Sequence, residues 1–209
     1  MESRKVKLQI ALDFYTLEEA AACTQKLVDV IDILEVGTPL LLGEGMHAVR
    51  TMRELDREIT LVADTKIMDG GYGAAELAFA AGADIVTVLG AANDVTISDT
   101  IRAAEKYQGK IMVDLINVPN PAQRAEEVVT LGADYLLFHL PTDLAAQGQG
   151  FELKGVDLSR YQAAVAGGLN AGNVGQVLTL TPSIVIVGSA VYKAEDPRGE
   201  ALKLKELLN

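Results

Sequence analysis

The sequence predicts a single-domain (β/α)8 barrel over residues 1–209, and three observations predict it. Eight short runs of β-branched and aliphatic residues recur along the chain, each nearly continuous in apolar character, as strands covered on both faces are. Segments with helical spacing lie between them. The residues that end the runs, Asp13, Glu35, Asp64, Val88, Asp114, His139, Ala166 and Val187, stand 22, 29, 24, 26, 25, 27 and 21 residues apart. That is the period of eight strand–helix units at the short end of barrel size. An open doubly wound sheet shows the same alternation; eight units favour closure.

The first run is Leu8–Leu12, and Thr16-Leu-Glu-Glu19 is a capping box that opens a helix through about Val30. Ile31–Val36 precedes a helical segment from Glu44 to Leu55, and Thr60–Ala63 precedes one from Tyr72 to Ala81. Ile85–Leu89 and Ile111–Val113 are followed by helical patterns over Val95–Tyr107 and Ala122–Leu131. After Tyr135–Phe138 comes the least regular stretch, Pro141 to Asp157, with Gly148, Gly150 and Gly155. It lies where a barrel builds an active-site loop. Ala163–Ala166 with a helix over Ala171–Leu180, and Ile184–Val187 with one over Arg198–Leu208, complete the set. No linker rich in Pro, Gly or Ser divides the chain.

Composition narrows the function. Eighteen Lys and Arg face 29 Asp and Glu, a formal charge of −11, which argues against a nucleic-acid partner. A small phosphate is still possible, because backbone N–H groups can hold one. The single Cys23 rules out an internal disulfide and a thiolate metal cluster. Its isolation points to a reducing, cytoplasmic setting. The apolar stretch near the amino terminus is broken at Asp13, too short for a signal peptide or a membrane span.

The strand ends carry the chemistry. Asp13, Glu35, Asp64, Asp114 and His139 each end a different run, and in a barrel such ends converge on one face. One such residue reads as a cap or a turn; five of eight do not. In Asp64-Thr-Lys66-Ile-Met-Asp69, a carboxylate and an ammonium two residues apart on a strand share a face. Buried together they keep each other ionised, and the lysine offers N–H donors to a developing oxyanion. Glu35 and Asp64, on neighbouring strands, suit a shared Mg²⁺ rather than Zn²⁺, or else share a proton. Ala166-Gly167-Gly168 and Gly188-Ser189 follow strands seven and eight, where this fold often binds phosphate through backbone amides. His139, beside the long loop and opposite carboxylates, is a candidate general acid/base. His47 reads as a surface residue, Cys23 as packing, and Met46, Met52, Met68 and Met112 as core fillers.

Taken together, Ala11-Leu-Asp13, Leu34-Glu-Val-Gly-Thr38, Ala63-Asp-Thr-Lys-Ile-Met-Asp69, Val86-Thr-Val-Leu-Gly90, Val113-Asp-Leu-Ile-Asn117, Val165-Ala-Gly-Gly168 and Val187-Gly-Ser189 resemble the hexulose-phosphate synthases. These belong to the orotidine 5′-monophosphate decarboxylase suprafamily of barrels, with the 3-keto-L-gulonate-6-phosphate decarboxylases as close relatives. The resemblance runs from Leu8 to the end. It implies a Mg²⁺-dependent reaction of a phosphorylated ketose with formaldehyde through an enediolate. On that resemblance Glu35 and Asp64 bind Mg²⁺, Asp13 and Lys66 contact substrate and enediolate, and His139 moves protons. Asp114 stands where the family keeps a carboxylate, and Gly167, Gly168, Gly188 and Ser189 line the phosphate pocket. Asp69 is expected to reach the neighbouring subunit's site in a homodimer.

Where the decarboxylases carry two arginines this chain has Thr142 and Ser189, which favours a synthase. Where the synthases follow their histidine with a small residue and glycine, it has Leu140-Pro141, a bulkier and stiffer loop. Three alternatives stand beside the synthase reading: a β-keto acid decarboxylase, a Schiff-base aldolase using Lys66, and a phosphosugar-binding barrel without turnover.

Overall fold

The computed structural model describes residues 5–151, 153 and 156–209. The Met1–Arg4 start of the predicted domain and Gly155 of the long loop lie outside the described residues. Eight parallel strands pair in sequence order, and β1 pairs with β8 to close the barrel. The strands are β1 Lys7–Leu12, β2 Ile33–Val36, β3 Thr60–Ile67, β4 Ile85–Leu89, β5 Lys110–Asp114, β6 Tyr135–His139, β7 Ala163–Ala166 and β8 Ile184–Val187. Around them run α1 Leu17–Leu27, α2 Thr38–Glu44, α3 Met46–Leu55, α4 Gly71–Ala80, α5 Asp94–Tyr107 and α6 Pro121–Leu131. The shorter α7 Thr142–Ala146, α8 Val174–Leu178 and α9 Ser189–Tyr192, then α10 Pro197–Leu207, complete the ring.

Two apolar layers follow from the two-residue period of a strand. Ala11, Ile33, Val62, Ile85, Met112, Leu137, Ala164, Ala166, Ile184 and Ile186 form one buried cluster, the filling of the barrel. Their strand neighbours of opposite parity, such as Ile10, Leu34, Leu61, Val86, Val113, Phe138 and Val185, belong to a second cluster with the helices. Two residues beyond the filling on five strands stand Asp13, Glu35, Asp64, Asp114 and His139, so the same alternation that seats the core brings them to the barrel mouth.

Local signals explain the helices. Thr16 caps α1 by accepting the Glu19 N–H, and Asn120 and Asp196 do the same for α6 and α10, each with Pro in the first turn. Five elements depart from the sequence reading. Helix α2 begins six residues before the expected segment, at a Thr38-Pro39 start that is itself a helix signal. Helices α7 and α9 are single turns, and α8 is shorter than Ala171–Leu180. Strand β3 runs past Asp64 to Ile67, so Asp64 lies inside the strand rather than at its end. Met68, expected in the core, is 52% exposed because it follows that strand into the loop. Met46 is partly buried, Met52 and Met112 fully, Cys23 is buried and His47 exposed. Among the described residues no helix is long and apolar enough to cross a membrane.

Candidate active site

Strand β3 supplies the centre of the site. Its pairing with β4 is regular at Ala63↔Val86 and resumes at Ile67↔Val88, so four steps on β3 face two on β4. Lys66, inside this bulge, has φ +45°, a left-handed conformation that a side chain rarely takes. The irregularity folds Lys66 back onto its own strand: Nζ donates to Asp64 Oδ2 at 2.5 Å. Asp64 also accepts from Thr38 Oγ1 at 2.7 Å and, through Oδ1, from Thr87 Oγ1 at 2.9 Å.

A line of charge runs on from there. Lys66 Nζ lies 3.7 Å from Asp114 Oδ2, and the same oxygen meets His139 Nδ1 at 3.0 Å. The Ile116 N–H donates to the other oxygen, Asp114 Oδ1, at 2.9 Å. Strands β3, β5 and β6 thus place an alternating carboxylate, ammonium, carboxylate and imidazole across the mouth. With Nδ1 engaged by Asp114, Nε2 is the ring nitrogen of His139 left for a further partner.

Electrostatics sort these groups. Burial alone would raise the Asp64 carboxyl, but the Lys66 charge and the hydrogen bonds from Lys66, Thr38 and Thr87 outweigh it and hold it below the usual range. Burial works against the Lys66 ammonium too, and the charges of Asp64 and Asp114 more than compensate, raising its pKa. Among the described residues no cation lies at hydrogen-bond distance from Glu35. Burial first, and then the Asp64 charge, push it up to about 8, although Gln9 Nε2 donates to Oε2 at 2.6 Å. Asp13 is raised by burial and then by Asp64.

Asp13 sits between two glycines. A Cβ at Gly37 would fall 2.1 Å from Asp13 Oδ1, and one at Gly188 would approach Oδ2 at 3.5 Å. Across the mouth Gly167, at φ +110°, presses against the Leu140 carbonyl, where a Cβ would come within 2.2 Å. Gly168 is left-handed as well, so the β7 loop turns sharply where the phosphate pocket was expected, and Ser189 opens α9 after β8. A cavity of about 180 Å³ opens between the ends of β5 and β6, lined by Leu115, Asn117, His139, Leu140, Leu144 and Phe151 among others. Leu140 itself is 9% exposed, so the residue that departs from the family pattern is packed inside the wall.

The structure therefore brings together Glu35, Asp64, Lys66, Asp114 and His139, with Asp13 in their field. It does not bring Asp69 to them: Asp69 is exposed in the β3–α4 loop and its Oδ1 accepts the Gly70 N–H. Sequence reasoning missed Gln9, Thr38 and Thr87. Gln9 carried a signal, since it is a polar residue within an apolar run and shares the inward parity of Asp13. Among the described residues no group of three or more His, Cys, Asp or Glu side chains is placed to hold a metal. Glu35 and Asp64 offer carboxylate oxygens only, and the buried Gln9 Oε1 beside Glu35 has no hydrogen-bond partner.

Comparison with known proteins bears on the family and the fold. The family profile described as "Orotidine 5'-phosphate decarboxylase / HUMPS family" matches residues 6–204. A 3-hexulose-6-phosphate synthase of Bacillus subtilis (strain 168) is 38% identical over 207 residues, covering 97% of this chain and 99% of that protein. The crystal structure of 3-hexulose-6-phosphate synthase from Salmonella typhimurium superposes with a TM-score of 0.90 at 42% identity, over 97% of this chain and 98% of the other. The 3-keto-L-gulonate-6-phosphate decarboxylase from Vibrio cholerae O1 biovar El Tor str. N16961 superposes at 0.85 with 31% identity, over 98% and 97%.

Proposed function

The chain belongs to the orotidine 5′-phosphate decarboxylase / HUMPS family and is an enzyme, and we propose that it joins formaldehyde to D-ribulose 5-phosphate, giving D-arabino-3-hexulose 6-phosphate, and catalyses the reverse cleavage. The observation that carries this reading is the charged line from Asp64 through Lys66 and Asp114 to His139 at the barrel mouth. It stands in a chain 38% identical to a protein named 3-hexulose-6-phosphate synthase.

The condensation needs a proton taken from the carbon beside the ketone, a carbon–carbon bond formed to the aldehyde, and a proton delivered to the aldehyde oxygen. His139 suits the proton work, because Asp114 fixes its Nδ1 and leaves Nε2 to take the proton and return it. The enediolate is anionic. Lys66, held as an ammonium between Asp64 and Asp114, offers N–H donors to charge that develops only along the reaction. The same carboxylates make Lys66 a poor amine nucleophile, which disfavours a Schiff base. Asp13, seated in the Gly37 and Gly188 notch, is proposed to contact substrate hydroxyls, and Gly167, Gly168, Gly188 and Ser189 to receive the phosphate.

Mg²⁺ is the proposed cofactor, held by Glu35 and Asp64. The donor set supports it: two hard carboxylates, Glu35 having no cation at ion-pair distance and no third ligand being placed beside them among the described residues, as suits an ion that keeps water and substrate oxygens in its shell. When bound, it supplies positive charge beside the substrate's carbonyl and neighbouring hydroxyl. A homodimer, with Asp69 directed at the neighbouring site, fits the exposure of Asp69 and Met68 in one loop. A cytoplasmic setting fits the lone buried Cys23.

The test is ribulose-5-phosphate-dependent consumption of formaldehyde, with Mg²⁺ and with excess EDTA. Consumption that EDTA abolishes and Mg²⁺ restores supports the reading; none from well-folded protein overturns it. The competing decarboxylase reading, which Thr142 and Ser189 count against, predicts CO₂ release from 3-keto-L-gulonate 6-phosphate instead.

A further inference from the structure

Thr87 answers a problem that β3 creates. The bulge leaves β3 two residues too long for β4, and Thr87 is the single β4 residue opposite the excess, between Val86 and Val88. Its carbonyl accepts the Thr65 hydroxyl at 2.7 Å. Its own hydroxyl accepts the backbone N–H of Lys66 at 3.0 Å and donates to Asp64 Oδ1 at 2.9 Å. The direction is fixed by chemistry: an amide N–H only donates and an ionised carboxylate only accepts, so the one hydroxyl proton goes to Asp64. Thr87 is 1% exposed, which leaves water no room to substitute.

We propose that Thr87 is a positioning residue for the reaction, setting the left-handed backbone of Lys66 and the rotation of the Asp64 carboxylate with one hydroxyl. Lys66 is not glycine, so its φ of +45° is costly and persists only because the surroundings over-determine it. The bond from its N–H to Thr87 is one of those determinants, and the Lys66–Asp64 pair is another. Thr87 is not among the residues proposed to hold substrate or metal; its hydroxyl meets Lys66 and Asp64. It acts by keeping the ammonium and the carboxylate aimed at the barrel mouth.

The proposal rests on the catalytic reading above, and its test separates the two. Thr87→Val keeps the shape and removes the hydroxyl; Thr87→Ser keeps the hydroxyl. The valine variant is expected to lose about 10- to 100-fold in kcat, with KM for ribulose 5-phosphate changed less than about threefold, because the phosphate grip lies at β7 and β8. The serine variant is expected to recover kcat to within about threefold of the parent. A valine variant with parental kcat, a rise in KM alone, or an equal loss in the serine variant would each overturn it. Should the valine protein fail to melt cooperatively, Thr87→Ala carries the same comparison with serine. If the parent consumes no formaldehyde, the catalytic reading fails, and amide hydrogen exchange at Lys66 decides the positioning claim alone. Exchange faster in valine than in serine supports it, and equal rates overturn it.

Discussion

The two ends of the barrel use the same residue type to opposite purpose. At the amino-terminal end Asp32, Asp84 and Asp134, each just before an even-numbered strand, accept the N–H of Leu8, Leu61 and Ile111 on the preceding odd strand, at 2.8, 2.7 and 2.9 Å. Asp32 and Asp84 also meet Lys205 and Arg53. These carboxylates stand far apart around the ring, each with a partner of its own, and Asp84 is half exposed. At the carboxyl-terminal end Asp13, Glu35, Asp64 and Asp114 share one mouth and lie deeper, and among the described residues Lys66 and His139 are the cationic or imidazole side chains that reach them at ion-pair distance, with Lys193 acting on Asp13 from farther off. At the amino-terminal end each carboxylate spends itself on a backbone N–H and fastens the fold. Carboxylates crowded beyond their supply of cations mark a candidate functional site.

The largest way to break that contrast is at His139. His139→Asn is expected to lower kcat by about 10²- to 10⁴-fold with little change in thermal stability, measured by the formaldehyde assay and a melt. Glu35 gives the next effect. Its folded pKa, near 8, lies above the ordinary value of 4.5, so folding suffers no penalty from it below pH 4.5, where both states are protonated. From there to about pH 8 the unfolded chain ionises and the folded one does not, and metal-free protein loses stability as pH rises. Denaturant titration in EDTA from pH 5 to 8 should show this loss, and Glu35→Gln should flatten it. The smallest effect belongs to the other end. Asp84→Ala strips a backbone N–H and Arg53 of their shared acceptor and should cost about 1–3 kcal/mol of stability, while kcat stays within about twofold.

The barrel was legible because its evidence is periodic. Eight apolar runs at nearly even spacing survive errors at any one boundary, and the inward parity that fills the core also lists the site residues. Asp64 and Lys66 were legible as a pair for the same reason. The bulge that brings them together was not, because Thr65 and Ile67 are ordinary strand residues and nothing local announces Lys66 in a left-handed conformation. Thr87 was hidden by being a good strand former, and its role exists only opposite the bulge. Helix α2 was missed because the helical segment was placed from Glu44 onward, although Thr38-Pro39 marks an earlier start. Met68 was misplaced by composition alone: apolarity says nothing of which side of a strand end a residue falls on.

The most direct measurement sets one carboxylate from each end against the other: Asp64→Asn and Asp134→Asn, assayed side by side for Mg²⁺-dependent formaldehyde consumption and for melting temperature. The structure predicts that Asp64→Asn loses about 1,000-fold in activity; it melts lower as well, because Lys66 loses its charged partner. It predicts that Asp134→Asn keeps its activity and melts lower, because the Ile111 N–H loses its charged acceptor. Parental activity in Asp64→Asn, or equal losses of activity at both ends, would contradict the assignment of the chemistry to the carboxyl-terminal mouth.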